Sequence, residues 1–256
     1  NNIIIMYEIL SNREVIKIIG LDSVKFLQNL ITNYIKKNNY CYTYLLNNQG
    51  RYLFDFFVYV PNLEEIYLDI DKSNKAALTE HLNFYKFRSK IQIIDCSEEY
   101  KVIYSHQKLD IDTLVTSRDP RYTMLGFRSI YDGDPASFNE KLYLEDKYNF
   151  AIIDGVEDLI TDKSIPNIYG AEELNAISFD KGCYVGQEVI SRAKYQGVIR
   201  RKIYKITADE DLSSLVKDEE ILADNDKIGV ICSSYRNKAI ALIREEKYLA
   251  DKEADI

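Results

Sequence analysis

The chain has 256 residues, of which 46% are hydrophobic and 29% are charged, a composition typical of a globular protein with one or two domains. Its net charge of −8 excludes the broad cationic surface that general nucleic-acid binding requires. No run of about 20 apolar residues occurs, so no membrane span is predicted. Because the first residues contain no basic leader, the sequence predicts a cytoplasmic protein.

The first part of the chain alternates strand-like and helix-like segments. Runs of β-branched and aromatic residues predict strands at 3–9, 14–19, 41–46, 51–60, 65–70, 91–94 and 101–105. The polar turn between the third and fourth of these predicts a hairpin. Asp22 or Ser23 caps a helix with apolar residues at 26, 27, 30 and 31 on one face. Asp71 or Ser73 caps a second predicted helix, at 73–87.

The second part of the chain is helical first and then rich in strands. A loop is predicted at 116–121, a strand at 126–131, a helix at 137–153 and an irregular segment at 154–166. Strands are predicted at 198–206, 220–223, 227–232 and 238–243, and their polar turns predict a small β-barrel or sandwich. The domains predicted are an α+β region at 1–115, a second α+β region at 116–197 and a β-barrel at 198–256.

Four cysteines are widely spaced and include no C-x-x-C pair. Such spacing predicts reduced thiols instead of a disulfide framework, and with only two histidines it supplies no ligand set for structural zinc. Cys41 and Cys232 lie on predicted strands and Cys96 ends one, so we predict that these three pack in the interior. No metal site is predicted.

The fourth cysteine lies in the most informative segment, Lys181-Gly182-Cys183-Tyr184-Val185-Gly186-Gln187-Glu188. The residues from Gln187 onward are predicted to begin a helix. A thiol just ahead of a helix N-terminus and beside an ammonium group has a larger thiolate fraction. Gly182 and Gly186 permit positive φ and close approach of a ligand to the backbone. Cys183 is therefore a candidate nucleophile, metal ligand or redox-sensitive thiol, or alternatively a small buried loop residue.

A basic segment follows this motif. Residues 189–208 contain no acid but six bases, which are Arg192, Lys194, Arg200, Arg201, Lys202 and Lys205. Two interpretations remain open at this point. The segment is either a solvated strand face or an anion site beside the Cys183 loop.

The octapeptide at 181–188 matches, without a mismatch, the K-G-C-Y-x-G-Q-E signature of the YgfZ-type folate-binding proteins, which are relatives of the glycine-cleavage T-protein (GcvT). Further segments resemble the same family in the expected order, at 20–33, 49–53, 119–128, 165–166 and 195–201. The resemblance runs from about residue 15 to residue 245. It implies an α+β body that contains a ferredoxin-like element, followed by a small C-terminal β-barrel.

The resemblance also implies a function. Family members bind tetrahydrofolate or another reduced folate, and mitochondrial members help to mature iron–sulfur proteins. The implied partners are iron–sulfur client enzymes or assembly proteins, with no nucleic acid and no membrane. Cys183 is then the working thiol, and Lys181 favours its thiolate. Gly182, Tyr184, Gly186, Gln187 and Glu188 complete the motif loop.

The implied folate site lies between the α+β body and the Cys183 region. Its expected contacts are Asn33, Arg51, Asp55 and Tyr184, because these residues fall in segments that resemble the pocket-lining ones of the family. The glutamate tail of the folate is expected at the basic segment. Since arginine forks bind carboxylates bidentately, Arg200 or Arg201 is the expected partner of that tail.

Two alternative functions remain open, a folate-dependent aminomethyltransferase of T-protein type and a non-catalytic scaffold. Three departures from the family weaken the transferase reading. Phe54 replaces the first of two adjacent acids, Tyr34 follows Thr32-Asn33 where the family has aspartate, and Ile168 stands where many relatives have glutamate. Acid–base catalysis needs such carboxylates within reach of the reacting group.

Overall fold

The structure is a computed structural model that describes residues 6–133, 135, 141–195 and 200–245. Its strands, in chain order, are β1 Tyr7–Ile9, β2 Arg13–Ile19, β3 Asn39–Leu46, β4 Tyr52–Asn62, β5 Glu65–Asp71, β6 Gln92–Asp95, β7 Tyr100–Ser105, β8 Val115–Arg118, β9 Phe127–Asp132, β10 Arg201–Thr207, β11 Glu220–Ala223, β12 Asp226–Tyr235 and β13 Lys238–Arg244. Its α-helices are α1 Ser23–Gln28, α2 Lys75–Lys86, α3 Leu142–Phe150, α4 Gly155–Asp158 and α5 Gln187–Tyr195. Short 3-10 turns lie at Lys72–Asn74 and Pro166–Tyr169.

The first sheet has the strand order β3-β4-β5-β2-β6 and is antiparallel throughout. Without β3, the order of β2, β4, β5 and β6 with α1 and α2 between them is that of a split β-α-β unit. The predicted hairpin at 41–60 is confirmed as β3 and β4. One face of this sheet packs on the two helices, and the buried side chains of that core include Leu27, Leu78 and Leu82.

The second sheet has the order β1-β7-β9-β8 and pairs strands from both sides of the predicted domain boundary at residue 115. The loop predicted at 116–121 is wrong in part, because residues 115–118 form the edge strand β8. The irregular segment predicted at 154–166 is likewise wrong in part, since it contains α4 and the start of a 3-10 turn. The helix predicted at 137–153 is observed as α3, which ends where Ala151 adopts a left-handed conformation with φ of 52°; residues 137–140 lie outside the described residues.

The third sheet has the order β10-β13-β12-β11 and corrects the expectation of a C-terminal β-barrel. Within residues 200–245 it is an open antiparallel sheet, because its edge strands β10 and β11 pair with β13 and β12, respectively, and not with each other. The sheet buries its apolar side chains without closing into a barrel. Ile240 and Leu242 pack against the body of the protein, while Ala241 belongs to a second cluster covered by Leu212 and Leu215. The first two residues of the strand predicted at 198–206 lie outside the described part of the chain.

The α+β class is confirmed, and no described helix is long and apolar enough to cross a membrane. The helix caps are partly as predicted. The carboxylate of Asp71 accepts a hydrogen bond from the Ser73 backbone amide at 2.9 Å and so caps the 3-10 turn that leads into α2. Asp22 takes the N-cap position of α1, but its carboxylate instead accepts a hydrogen bond from the Lys90 amide at 2.8 Å.

Candidate functional site

The motif loop presents Cys183 to solvent between two buried anchors. Gly182 and Cys183 are exposed, whereas Lys181 and Tyr184 on either side are each only 7% exposed. The Tyr184 ring belongs to the core that joins the first and third sheets. The loop is thus held at both ends while the thiol remains accessible.

Lys181 is a buried lysine without a carboxylate partner among the described residues. Its Nζ atom donates hydrogen bonds to the backbone carbonyls of Gln28, at 2.6 Å, and Ile31, and it lies 4.7 Å from the centre of the Tyr184 ring. Desolvation lowers the pKa of this ammonium to about 7, because burial disfavours its charged form. Lys181 therefore ties the motif loop to the end of α1.

A glycine–glycine contact ties the other end of the loop to the β3–β4 hairpin. Gly186 has φ of +81°, and a Cβ atom built on it would lie 2.8 Å from the Asn47 carbonyl oxygen and 3.0 Å from the Gly50 Cα. Gly50 has φ of +69°, and a Cβ atom there would lie 2.8 Å from the Val189 Cβ. A side chain at either position would separate the hairpin turn from the start of α5. Two segments that resemble the family in sequence are thus in direct contact.

The four cysteines differ sharply in environment. Cys41, Cys96 and Cys232 are buried, as predicted, and only Cys183 is exposed. Desolvation raises the pKa of the Cys41 thiol to about 12 and raises that of Cys232 still further. Since the thiolate is the reactive form of cysteine, the interior thiols are inert near neutral pH.

The pH dependence of stability tests the role of Lys181 as an anchor. Its folded-state pKa lies below that of an exposed lysine, so the unfolded chain binds more protons between about pH 7 and about pH 10. The contribution of Lys181 to the free energy of unfolding therefore rises with pH across that window. We predict that the wild type gains stability relative to Lys181→Met as the pH is raised, measured by urea unfolding. Parallel pH profiles would contradict this.

A second measurement on the same residue concerns the thiol. The sequence predicts that the Lys181 ammonium favours the thiolate of Cys183. The rate of Cys183 alkylation against pH, compared between wild type and Lys181→Gln, tests this prediction. A midpoint at higher pH in the variant supports it, and superimposable curves leave Lys181 with the anchoring role alone.

Asp55, a predicted folate contact, is enclosed. It is 2% exposed, and its carboxyl group accepts hydrogen bonds from the Tyr42 hydroxyl at 2.7 Å, the Tyr52 hydroxyl at 2.8 Å and the Gly155 amide at 3.1 Å. Burial raises the pKa of Asp55, although the nearby Arg13 guanidinium opposes that shift. The cavity beside Asp55 has a volume of only about 20 Å³. It has no room for a pterin ring in this arrangement.

The other predicted folate contacts are engaged in holding the fold together. Asn33 donates from Nδ2 to the carbonyls of Tyr42, at 2.9 Å, and Asn175, at 2.7 Å. Arg51 donates from its guanidinium to the Lys163 carbonyl at 2.7 Å. The structure therefore brings Asn33 and Arg51 next to the segments that lead into the motif, but neither they nor Tyr184 line the cavity beside Asp55.

A larger cavity, of about 420 Å³, lies where α3, the 3-10 turn at Pro166–Tyr169 and β10 meet. Arg201 and Lys202 line it, as do the rings of Tyr122 and Phe150, whose centres are 5.4 Å apart. Asn167 also lines it and is 5% exposed, yet its Oδ1 atom has no hydrogen-bond partner among the described residues. A buried acceptor without a partner is costly, but this atom is itself shielded from solvent, so it does not open onto the cavity in this arrangement.

The cavity is connected to the motif helix through Asn167. Its Nδ2 atom donates to the Ile190 carbonyl in α5 at 3.3 Å. None of the residues at 181–188 lines the cavity. Sequence analysis singled out this region only by the missing acid at 168, because an asparagine in a short irregular segment carries no periodic or compositional signal.

Much of the basic segment is paired. Lys194 contacts Glu172 at 2.6 Å, Lys202 contacts Glu245 at 2.8 Å, and Arg192 contacts Glu188 at 2.6 Å on the exposed side of α5. Arg200 lies outside the cavity lining, whereas Arg201 lines it and forms no ion pair with a described residue. Of the two arginines predicted to bind an anion, Arg201 is therefore the one that lines the cavity.

The structure also contains a buried charge ladder that sequence analysis did not predict. Its members alternate in sign and are Arg13, Asp69, Arg128, Asp119, Arg121, Asp154, Lys147 and Asp158. Four cations and four carboxylates balance along it, so little net charge is buried. The Arg121–Asp154 pair, with atoms 2.6 Å apart, separates the small cavity beside Asp55 from the large one.

No cluster of three or more His, Cys, Asp or Glu residues that could hold a metal ion occurs in the described residues. No protein-family model matches the chain. Individual relatives do match. The chain is 32% identical over 215 residues to the "Iron-sulfur cluster assembly factor IBA57 homolog, mitochondrial" of Pyricularia oryzae, with 76% of this chain and 55% of that protein aligned.

Two further relatives bear the same kind of name. The Dictyostelium discoideum homolog is 28% identical, with 83% of this chain and 65% of that protein aligned. The human "Iron-sulfur cluster assembly factor IBA57, mitochondrial" is 28% identical, with 93% and 77% aligned. The chain thus spans between about half and two thirds of the length of the first two relatives. All three are named as mitochondrial, in contrast to the cytoplasmic location that the sequence predicts here.

The fold has a solved counterpart. The glycine cleavage system aminomethyltransferase T of Bartonella henselae superposes with a TM-score of 0.67, covering 93% of this chain and 78% of that one, at 15% identity. At that identity the likeness concerns the fold alone. The relatives in sequence identify the chain as a member of the IBA57/YgfZ family, and the solved counterpart shows that it has the GcvT aminomethyltransferase fold.

Proposed function

We propose that this protein supports assembly or repair of iron–sulfur enzymes, with Cys183 as its working thiol and a reduced folate as its cofactor. The observation that carries the proposal is the exposure of Cys183 on a loop held by Lys181 and Tyr184. A thiol presented in this way can reach a cluster, or a cysteine of a client, outside the protein. The relatives reported above are named as iron–sulfur cluster assembly factors, which supports the same role.

The residues of the 420 Å³ cavity fit a reduced folate. Ligand pockets in proteins have volumes of about 300–1,000 Å³ and are mostly apolar with a few placed polar groups. The apolar lining here includes Tyr122 and Phe150, and the placed polar groups are Asn167 and Arg201. If the Asn167 side chain turned toward the cavity, its unpartnered Oδ1 atom would offer an acceptor to an N–H group of the pterin. The Arg201 guanidinium offers a fork to a carboxylate of the glutamate tail.

A bound tetrahydrofolate would supply a ring amine that carries one-carbon units. The residues of this chain would bind and orient it. Asn167 would fix the ring, and its second hydrogen bond, to the Ile190 carbonyl, would couple the occupied cavity to α5 and hence to the motif loop. Folate binding would in this way stabilise the position of Cys183 without direct contact between them.

Aminomethyl transfer is less well supported. A transferase needs an acid beside the folate amine, and Asp55 is the acid that the resemblance offers. Here the Asp55 carboxyl group is occupied by two tyrosine hydroxyls and a backbone amide, and it lies beside the small cavity instead of the large one. The proposed role is therefore folate-dependent support of cluster assembly, with Phe54, Tyr34 and Ile168 in the places of the three missing acids.

Rescue of a strain that lacks its own member of this family tests the proposed function. Expression of the chain is expected to restore the activity of an iron–sulfur enzyme while leaving its protein level unchanged. An enzyme without a cluster serves as the control for general effects on growth. Activity that stays at the level of the empty vector, with the chain expressed and soluble, would refute the proposal. Turnover of an aminomethyl donor with tetrahydrofolate would favour the transferase instead.

Folate binding has its own prediction. We expect polyglutamylated tetrahydrofolate to bind about tenfold more tightly than the monoglutamate at low ionic strength, because extra carboxylates near Arg201 form charge-assisted hydrogen bonds. Added salt should shrink this gain. Titration calorimetry measures both. Arg201→Gln should remove the gain, and Arg192→Gln, which changes an exposed arginine outside the cavity, should keep it. Equal affinity for both folates would show that the basic segment is a solvated strand face and not an anion site.

A further inference from the structure

We infer that the end of α2 and the groove beside it form the docking surface for the protein that Cys183 serves, and that this partner presents an acidic segment with apolar side chains. The inference rests on the proposed function of Cys183. Two features define the surface. The aromatic patch consists of Phe84, Tyr85 and Phe87, and the basic groove is lined by Asp22, Lys25, Phe26, Asn29, Leu30, Tyr85, Lys86, Arg88 and Ser89.

The aromatic patch exposes large apolar side chains to solvent. Phe84 is 79% exposed, Phe87 is 86% exposed and Tyr85 is 39% exposed. The Tyr85 ring contacts Phe84 at 5.3 Å and His81 at 4.9 Å between centres, so the patch is backed by packed rings and is not a set of free side chains. Grouped exposed rings of this kind mark interaction sites, and aromatic residues are enriched at protein interfaces.

The backbone at Phe87 is strained. Phe87 follows the last residue of α2 with φ of +24°, a region that favours glycine. Glycine is the residue that most often ends a helix in this way. At 86% exposure the Phe87 side chain contributes little burial in return for the strain, and the Arg88 guanidinium lies 5.4 Å from its ring centre. Its exposed ring is available to a partner.

Charge selects the kind of partner. The groove has a volume of about 400 Å³, with Phe26 and Leu30 buried at its floor. Lys25, Lys86 and Arg88 line it and form no ion pair with a described residue, whereas most lysines of the basic segment after the motif are paired. In a protein of net charge −8, such a cationic site beside exposed rings is complementary to carboxylates flanking an apolar side chain.

The groove adjoins the Cys183 loop through one short helix. Lys25, Phe26 and Asn29 of the α1 region line the groove. The carbonyls of Gln28, the last residue of the same helix, and of Ile31, three residues further along the chain, accept the hydrogen bonds of Lys181. A partner seated in the groove would therefore lie against the helix to whose last residue Lys181 ties the motif loop.

Photo-crosslinking in cells tests the surface. A benzoylphenylalanine at position 87 and, in a separate variant, at position 182 are expected to capture the same protein, since one partner must contact both sites. Lys25→Glu with Arg88→Glu should lower the captured fraction at both positions by about tenfold, because like charges would face each other. A matched label at Leu222, which is 58% exposed on β11, should not capture that protein. Different proteins at the two positions would overturn the inference.

Phe87→Gly separates docking from folding. Because glycine relieves the strained φ, this variant is expected to melt at the same or a higher temperature than the wild type while its rescue activity falls several-fold. The double variant Phe87→Gly with Phe84→Ser is compared with a wild type that does rescue. Full rescue by the double variant would refute the docking surface and would leave the proposed role of Cys183 unaffected. Binding to vesicles of anionic lipid that is lost in the same variants, with no protein captured, would identify a membrane surface and likewise overturn the inference.

Discussion

Replacing Cys183 with alanine is expected to reduce rescue of iron–sulfur enzyme activity to the level of the empty vector. Cys183 is the exposed cysteine, and it lies directly ahead of α5 on a loop whose two ends are anchored. Serine at this position keeps the size of the side chain but not the thiolate, so Cys183→Ser should fail equally. Rescue and expression are measured together, and the melting temperature should be unchanged because the side chain packs against no core.

The other three cysteines supply matched controls. Cys41→Ala, Cys96→Ala and Cys232→Ala each remove a buried thiol, which costs stability of about 1 kcal/mol but no chemistry. All three variants should rescue. Loss of rescue at Cys41 or Cys96 in a protein that still folds, or full rescue by Cys183→Ala, would show that Cys183 is not the working thiol.

The motif loop was the part of the site that sequence could predict, because its information is local. Glycines at 182 and 186, a cysteine between them and a helix start at Gln187 are all recognisable from neighbouring residues alone. The hairpin turn at 47–50 was predictable for the same reason. Their mutual contact, through Gly50 and Gly186, depends on the packing of residues far apart in the chain and appears only in the structure.

Asp55 shows why single residues were harder to predict. Alternation along β4 leaves open which face of the strand is covered, and the resemblance offered a folate contact. In the structure the hydroxyls of Tyr42, on the neighbouring strand, and Tyr52 close over the carboxyl group. With 21 tyrosines in the chain, nothing in the sequence distinguishes these two.

The buried charge ladder was invisible for a related reason. Arg121 and Arg128 belong to segments that resemble the family, but charged residues are predicted to be exposed unless partners are known. Their partners Asp69 and Asp154 are 59 and 33 positions away in sequence. Long-range packing also decides whether the third sheet closes into a barrel. Its strands were predicted from sequence, but the spacing of the strands does not show that the sheet stays open.

Arg121→Met is expected to lower the free energy of unfolding by about 3–5 kcal/mol, the usual cost of breaking a buried ion pair by removing one partner. Arg121 is 0% exposed, and its guanidinium contacts Asp119 at 2.7 Å, Asp154 at 2.6 Å and the Tyr143 hydroxyl at 3.0 Å. Methionine fills similar volume but removes the cation that Asp119 and Asp154 share. Among the described residues, Asp119 then keeps only Arg128 as an ion-pair partner, at 3.9 Å, and Asp154 keeps Lys147 at 3.4 Å. Since whole domains are stable by about 5–15 kcal/mol, urea unfolding resolves such a loss clearly.

The matched control is Arg192→Met. Arg192 also forms an ion pair at 2.6 Å, with Glu188, but both side chains are exposed, so its loss should cost at most about 1 kcal/mol. If Arg121→Met does not fold, Arg121→Lys keeps the charge without the planar fork and should show an intermediate loss. Equal losses for Arg121→Met and Arg192→Met would contradict a structural role of the ladder.

The pH dependence of this loss follows from Asp154. Burial acts to raise the pKa of Asp154, but Lys147 and Arg121 overcome that effect and hold the pKa below its usual range. The stability that a depressed carboxyl pKa contributes is present above the unfolded value of about 3.9 and is lost as the pH falls below it. The Arg121→Met variant lacks part of this contribution to the free energy of unfolding, so it loses less stability as the pH falls. The gap between wild type and variant should therefore narrow below about pH 4, and a gap that widens there would show that Arg121 does not stabilise the ionised form of Asp154.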